Sequence, residues 1–363
     1  MVRKVLAFGC ITLVVIIIVV GAYVAITFSS AMSKENITQT AAIEGCRLIS
    51  GLIGPEDFEY LRQEKGLVVS SLDRRAPEDT TGGLYWIDLA VPPEEQVAEP
   101  TVTDYPVHFK PHGLTFQPTE NGGKLFVISH PETGEWRHTI EVFSLTSSSG
   151  THEWKHLQTL TDELLISPND LVALPDGGLF ISNDFQDLGG GMAGLVVDTL
   201  LRRKRAPLVY YDGAEFMDLD ANVISSAGIT AVKEGDHEYL YRDMMEKGAQ
   251  KLEIHWDQQG KPRVELVDTI HLNSGADNFT VDDEGLVYVA THYSYGLLLD
   301  HADDEAVLSP TQVFRISPDG EATLIYANQG EEISAGSVGA AVENRLYIGQ
   351  IYNDGVLSCP MDD

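Results

Sequence analysis

From Val5 to Phe28 the chain runs apolar and uncharged for 24 residues, behind Arg3 and Lys4. That length spans the hydrocarbon of a bilayer and exceeds the apolar core of an ordinary signal peptide. With the basic residues in front, the positive-inside rule places the remainder across the membrane. Residues 1–30 are therefore expected to form a retained signal-anchor helix. The small residues Ser29-Ser30-Ala31 leave cleavage, and secretion, as the other route. Residues 31–45 read as a short linker.

Beyond Cys46 the rhythm shortens. Gly66–Ser71, Leu84–Leu89, Lys124–Ser129, Thr139–Phe143, Pro207–Tyr211, Leu286–Ala290, Val313–Ile316 and Arg345–Ile348 are brief β-rich runs between turn residues. Around Pro168-Asn169-Asp170-Leu171 one short apolar strand enters, Pro175-Asp176-Gly177-Gly178 turns, and a second strand ends on Asn183-Asp184. The entry cluster recurs. Counted through Glu56, His112, Asn169, Ala227, Asp277 and Gly336, the steps are 56, 57, 58, 50 and 59 residues. Six units with room for about four short strands each describe an all-β, six-bladed β-propeller over 46–363, preceded by the N-terminal transmembrane helix. If each cluster opens an innermost strand, Glu56, Asp57, His112, Asn169, Asp170, Asp277 and Asn278 face one axial site. The segment 192–205, apolar with a basic end, reads as a helix over the ring; contact with lipid and an ordinary surface helix are both open.

Charge narrows the partners. Lys plus Arg is 24 and Asp plus Glu is 55, a formal net charge of −31. Phosphate backbones need a basic face, so no nucleic-acid partner is expected. The acidity suits an ectodomain and multivalent cations, and equally simple solubility. Of the three cysteines, Cys10 lies in the apolar run; Cys46 and Cys359 can pair in an oxidising compartment and close a ring, two free thiols being the alternative. Asn36-Ile37-Thr38 is a glycosylation sequon just past the span.

The axial residues offer hard oxygens of the kind calcium takes. There is no zinc-like His/Cys spacing, no Gly-x-Ser-x-Gly elbow and no phosphate loop. What the axis adds is histidine: His112 opens a central strand, His130 closes the hairpin after it, and His292 holds the like place in a later blade. A neutral imidazole beside a bound cation can take a proton from water.

In order and at this spacing, Gly54-Pro55-Glu56-Asp57, Pro111-His112-Gly113-Leu114, Ser129-His130-Pro131, Asn169-Asp170-Leu171-Val172-Ala173, Ser182-Asn183-Asp184 and Asp277-Asn278 make the chain resemble the serum paraoxonase/arylesterase family of calcium-dependent lactonases. The resemblance runs from Cys46 to Cys359. It implies two Ca2+ ions in the channel, an uncleaved N-terminus and a disulfide linking the first and last blades. It implies Glu56, Asn169, Asp277 and Asn278 as ligands of a catalytic calcium, and Asp57, Asp170 and the Leu114 carbonyl as ligands of a structural one. It further implies His112 as general base with His130 as its partner, His292 on the pocket wall, Asp184 behind the ligands, and a small ester or lactone as substrate. Asn278-Phe279-Thr280 also reads as a sequon, but a channel ligand should stay unglycosylated.

One position departs. The family carries a further asparagine ligand in an Ala-Asn-Gly-Ile sequence, where this chain has Ser226-Ala227-Gly228-Ile229. Ala227 has no side-chain oxygen, so a water, Ser226 or Asn222 would fill the gap and calcium affinity should fall. The alternatives are a propeller that binds without turnover, or a gluconolactonase-like or strictosidine-synthase-like enzyme.

Overall fold

The computed structural model describes residues 21–23 and 33–361, apart from 103, 121, 132–136, 149–150, 185–199 and 245–246. It contains six four-stranded antiparallel sheets. Blades one to five are 55–100, 111–160, 168–218, 229–271 and 275–328, each built in chain order from the inner strand outward. Blade six takes its three inner strands from 336–360 and its outermost from Arg47–Ile53, which pairs antiparallel with Asp354–Pro360. The expected propeller is present.

The second strand of each blade explains the unbroken apolar runs. A strand between two neighbouring blades is covered on both faces, so successive side chains serve different cores. Val68 packs toward blade two, while Leu67 and Val69 pack toward blade six. Leu125 and Val127 face blade one; Phe126 and Ile128 face blade three. Each of the six inter-blade gaps holds one such cluster. The core is thus a ring of six small cores around a polar axis.

Cys46 and Cys359 are bonded across a separation of 313 residues. The expected pairing holds, with one correction. Because Arg47–Ile53 completes blade six, the bond lies within that blade rather than between first and last blades. Closing so long a loop restricts the unfolded chain and contributes about 5–6 kcal/mol in the chain-entropy picture.

Residues 33–41 lie on blade five. Ile37 is buried, Ala41 bridges to Ala327, and Lys34 pairs with Asp300 on the helix Tyr295–Asp303. Asn36 is exposed. Among the described residues no helix is long and apolar enough to cross a membrane. The run from Val5 to Phe28 falls outside them except for residues 21–23, which are helical. Of the segment 192–205, residues 192–199 fall outside as well; Leu200 and Leu201 are helical, and Leu201 is exposed.

Candidate active site at the channel mouth

Five of the inner strands are irregular near their start. The ladder shifts between Pro55 and Asp57, Pro111 and Leu114, Pro168 and Leu171, Ala276 and Phe279, and Gly336 and Val338. A bulge re-aims the side chains beside it. Five of the six recurring clusters of the sequence are these bulges; the sixth, Ala227-Gly228, precedes a strand whose ladder is regular, and the six form two rings. The first is Glu56, His112, Asn169, Ala227, Asp277 and Gly336. The second is Asp57, Gly113, Asp170, Gly228, Asn278 and Ser337.

In the second ring Asp57, Gly113, Asp170 and Gly228 alternate because the two carboxylates lean over their neighbours. Asp57 accepts from its own Phe58 N–H and from Leu114 N–H of blade two, both at 2.8 Å. Asp170 does the same with Leu171 at 2.7 Å and Ile229 of blade four at 2.8 Å. Space for this comes from glycine. A Cβ on Gly113 would lie 2.9 Å from Asp170 Oδ1, and one on Gly228 would lie 2.2 Å from the Asp277 carbonyl. The observed contact of Leu114 is its N–H. Burial pushes the Asp57 and Asp170 carboxyls well above the usual carboxylate range, and Asp170 raises Asp57 further.

The first ring, together with Asn278 of the second, is left incomplete. Asn278 Nδ2 donates to Glu56 Oε1 at 2.8 Å, and Asn169 Nδ2 donates to Asp184 Oδ2 at 3.0 Å. His292 Nε2 meets Asp277 Oδ2 at 2.7 Å. Each amide is thereby oriented with its oxygen turned away, and Glu56 Oε2, Asn169 Oδ1 and Asn278 Oδ1 are buried without a hydrogen-bond partner. Buried orphaned oxygens are costly. Three of them, from one carboxylate and two amides, fit a hard cation such as calcium. Among the described residues no group of three or more His, Cys, Asp or Glu side chains makes a metal cluster, so amide oxygens are essential to such a set. Burial also raises Glu56 and Asp277, and lifts Asp184 to about 7.

His112 stands beside these oxygens, its Nε2 3.6 Å from Glu56 Oε1. Its Nδ1 lies 3.4 Å from the Arg74 guanidinium. A guanidinium only donates, so Nδ1 is the acceptor and Nε2 carries the proton in this arrangement. The His130 ring packs edge-on against His112 at 5.0 Å between centroids, and His130 Nδ1 lies 2.7 Å from His138 Nδ1. Burial, with Arg74 and the neighbouring rings, holds both His112 and His130 well below the usual imidazole range, hence neutral at neutral pH.

Every expected axial residue is therefore at the channel, with Asp184 and His292 in direct contact with Asn169 and Asp277. Three residues of the site escaped the sequence reading: Arg74, His138 and Asp243. Asp243 is buried, and its Oδ2 accepts from the Ala227 N–H at 3.2 Å. The available signal was positional. His130, Asp184 and His292 all follow or end a second strand, and Arg74 and Asp243 lie within a few residues of the same place.

The arylesterase family model matches residues 37–361. The chain belongs to the arylesterase family. By that membership it is an esterase or lactonase. It is 27% identical to serum paraoxonase/arylesterase 2 of Gallus gallus over 350 residues, covering 90% of this chain and 92% of that protein. It is also 27% identical to serum paraoxonase/lactonase 3 of Mus musculus over 341 residues, covering 88% and 91%. Among solved structures, a gluconolactonase from Xanthomonas campestris superposes with a TM-score of 0.51 at 15% identity, covering 90% of this chain and 94% of that one. At that identity the likeness shows the propeller alone, whereas the arylesterase relatives extend over most of both chains.

Proposed function

We propose that this arylesterase is a calcium-dependent hydrolase of lactones or aryl esters, acting at the channel mouth on water rather than through a covalent intermediate. The observation that carries the reading is the trio of buried oxygens without a hydrogen bond, Glu56 Oε2, Asn169 Oδ1 and Asn278 Oδ1, beside a neutral His112, with the Arg74 guanidinium 4.0 Å from Glu56 Oε2. Glu56, Asn169, Asp277 and Asn278 would hold one ion; Asp57, Asp170 and the Leu114 carbonyl would hold a second. When bound, calcium supplies polarisation of the scissile carbonyl. His112 takes a proton from the attacking water at Nδ1, the nitrogen that carries the lone pair, releasing its Arg74 contact to do so. His130 and His138 fix the ring from its face, and Arg74 disfavours a premature imidazolium. Asp184 and His292 orient Asn169 and Asp277. In the proposed setting residues 1–30 anchor the propeller on the lumenal or extracellular side, where Asn36 is available for glycosylation.

The test is turnover of phenyl acetate and δ-valerolactone by the full-length chain in detergent. Chelation with EDTA should abolish it, and calcium should restore it. His112→Gln should lower it about 10²–10³-fold with unchanged circular dichroism. Turnover indifferent to EDTA sinks the calcium reading. Ala227 favours a second reading, a propeller that binds without turnover; absence of activity on both substrates in calcium would support it.

A further inference from the structure

The arylesterase pattern loses an oxygen at Ala227, and the loss falls beside an unused carboxylate. Asp243 lies on the second strand of blade four, His237–Met244, where its N–H donates to the Gly228 carbonyl at 3.1 Å. It is 3% exposed. Its Oδ2 accepts from the N–H of Ala227 itself. Its Oδ1 is buried and has no hydrogen-bond partner. The equivalent second-strand residues of blades one and three are Ser70 and Ser182, whose hydroxyls close their own bulges against the Asp57 and Asp170 backbone, Ser182 also donating to the Ala227 carbonyl. An aspartate there is longer than that task requires. The Arg242 guanidinium gives its hydrogen bonds to Gln250 and the Ala221 carbonyl and none to Asp243. Burial raises the Asp243 carboxyl, and the charges of Asp277 and Asp184 at the mouth raise it further.

We propose that Asp243 is a replacement ligand for the channel cation, reaching from the second strand to the place a first-strand asparagine would otherwise fill. This rests on the calcium reading above. It reverses the expectation drawn from Ala227. The donor set keeps its oxygen count and exchanges a neutral amide for a carboxylate, and added ligand charge tightens calcium binding. Ser226 Oγ and Asn222 Oδ1 are also buried without partners, but neither carries the charge a divalent ion rewards.

The test is calcium titration of the full-length chain in detergent, by calorimetry and by melting in calcium and in EDTA. Wild type should bind two ions. Asp243→Asn should weaken one of them at least tenfold. It should also lower Tm in saturating calcium and raise it in EDTA, because the buried charge is then gone. A merely structural aspartate would shift Tm in the same direction under both conditions and leave affinity unchanged, which overturns the proposal. The double variant Ala227→Asn/Asp243→Asn should recover affinity. If Asp243→Asn does not fold, wild type decides: a terbium-soaked crystal should show an Asp243 oxygen about 2.3–2.6 Å from the ion, and a distance beyond about 4 Å overturns the inference. Wild type that binds no calcium overturns the function and the inference together; wild type that binds while Asp243→Asn binds equally well overturns the inference alone.

Discussion

The two rings of the channel use the same residue types for opposite ends. In the second ring, each carboxylate oxygen of Asp57 and Asp170 accepts one backbone N–H, tying its own blade to the next and leaving one lone pair per oxygen for an ion. Glu56 and Asn169 of the first ring, joined by Asn278 of the second, keep an oxygen without a hydrogen bond while their other atom is fixed by a neighbour. One set is part of the frame that joins blades; the other is a preorganised but unfinished coordination shell. Acidity alone distinguishes neither, since burial raises the carboxyls of both. The distinction lies in where the lone pairs go.

The largest effect should come from breaking the frame. Asp170→Ala strands the buried N–H groups of Leu171 and Ile229 and removes the tie between blades three and four. Leaving two buried donors unsatisfied costs about 3 kcal/mol or more. Urea unfolding in EDTA, where calcium binding cannot contribute, should show this loss. A midpoint unchanged from wild type would mean that the second ring is not a frame.

Glu56→Gln should do the reverse. The amide oxygen can still accept from Asn278 Nδ2, so the contact that orients Asn278 survives. In EDTA the melting temperature should change little, because the buried carboxylate is removed while Arg74, 4.0 Å from Glu56 Oε2, loses its ion-pair partner. In calcium, turnover should drop about 10²-fold, roughly 3 kcal/mol of barrier. A large loss of stability in EDTA would move Glu56 into the frame and erase the contrast between the rings.

Much of this was readable because bulges repeat. Asn169-Asp170 looks like turn punctuation alone, and only the recurrence near 57 residues reveals it as one spoke of six. The short step to Asp277 also holds its register, with Gly228 directly against the Asp277 backbone. Arg74, His138 and Asp243 were hidden for a physical reason. Their reach to the axis depends on how far a second strand runs past a bulge and how its following loop folds back. Neither repeats from blade to blade: Ser70 and Ser182 do in blades one and three what Asp243 exceeds in blade four. The alternation of polar residue and glycine in the second ring was likewise invisible residue by residue, because it is a packing rule between neighbours around a ring.

The smallest effect should come from the far end of the channel. Below the second ring a cavity of about 210 Å³ opens, lined among others by Asp57, Leu114, Asp170, Thr230 and Thr280. Arg62 and Asp283 pair at its edge, with side chains 48% and 77% exposed. Exposed pairs are screened and contribute less than about 1 kcal/mol. Asp283→Asn should therefore shift Tm by no more than about 3 °C and leave both kcat/KM and calcium affinity at wild-type values. The second ring explains why the two ends are separable: Asp57 and Asp170 line this cavity with their carboxylates bonded to backbone N–H groups, so their positions do not depend on the Asp283 charge. A fall in kcat/KM at unchanged Tm would show that water or substrate passes from this end, and that the second ring is a gate to the active site as well as a frame.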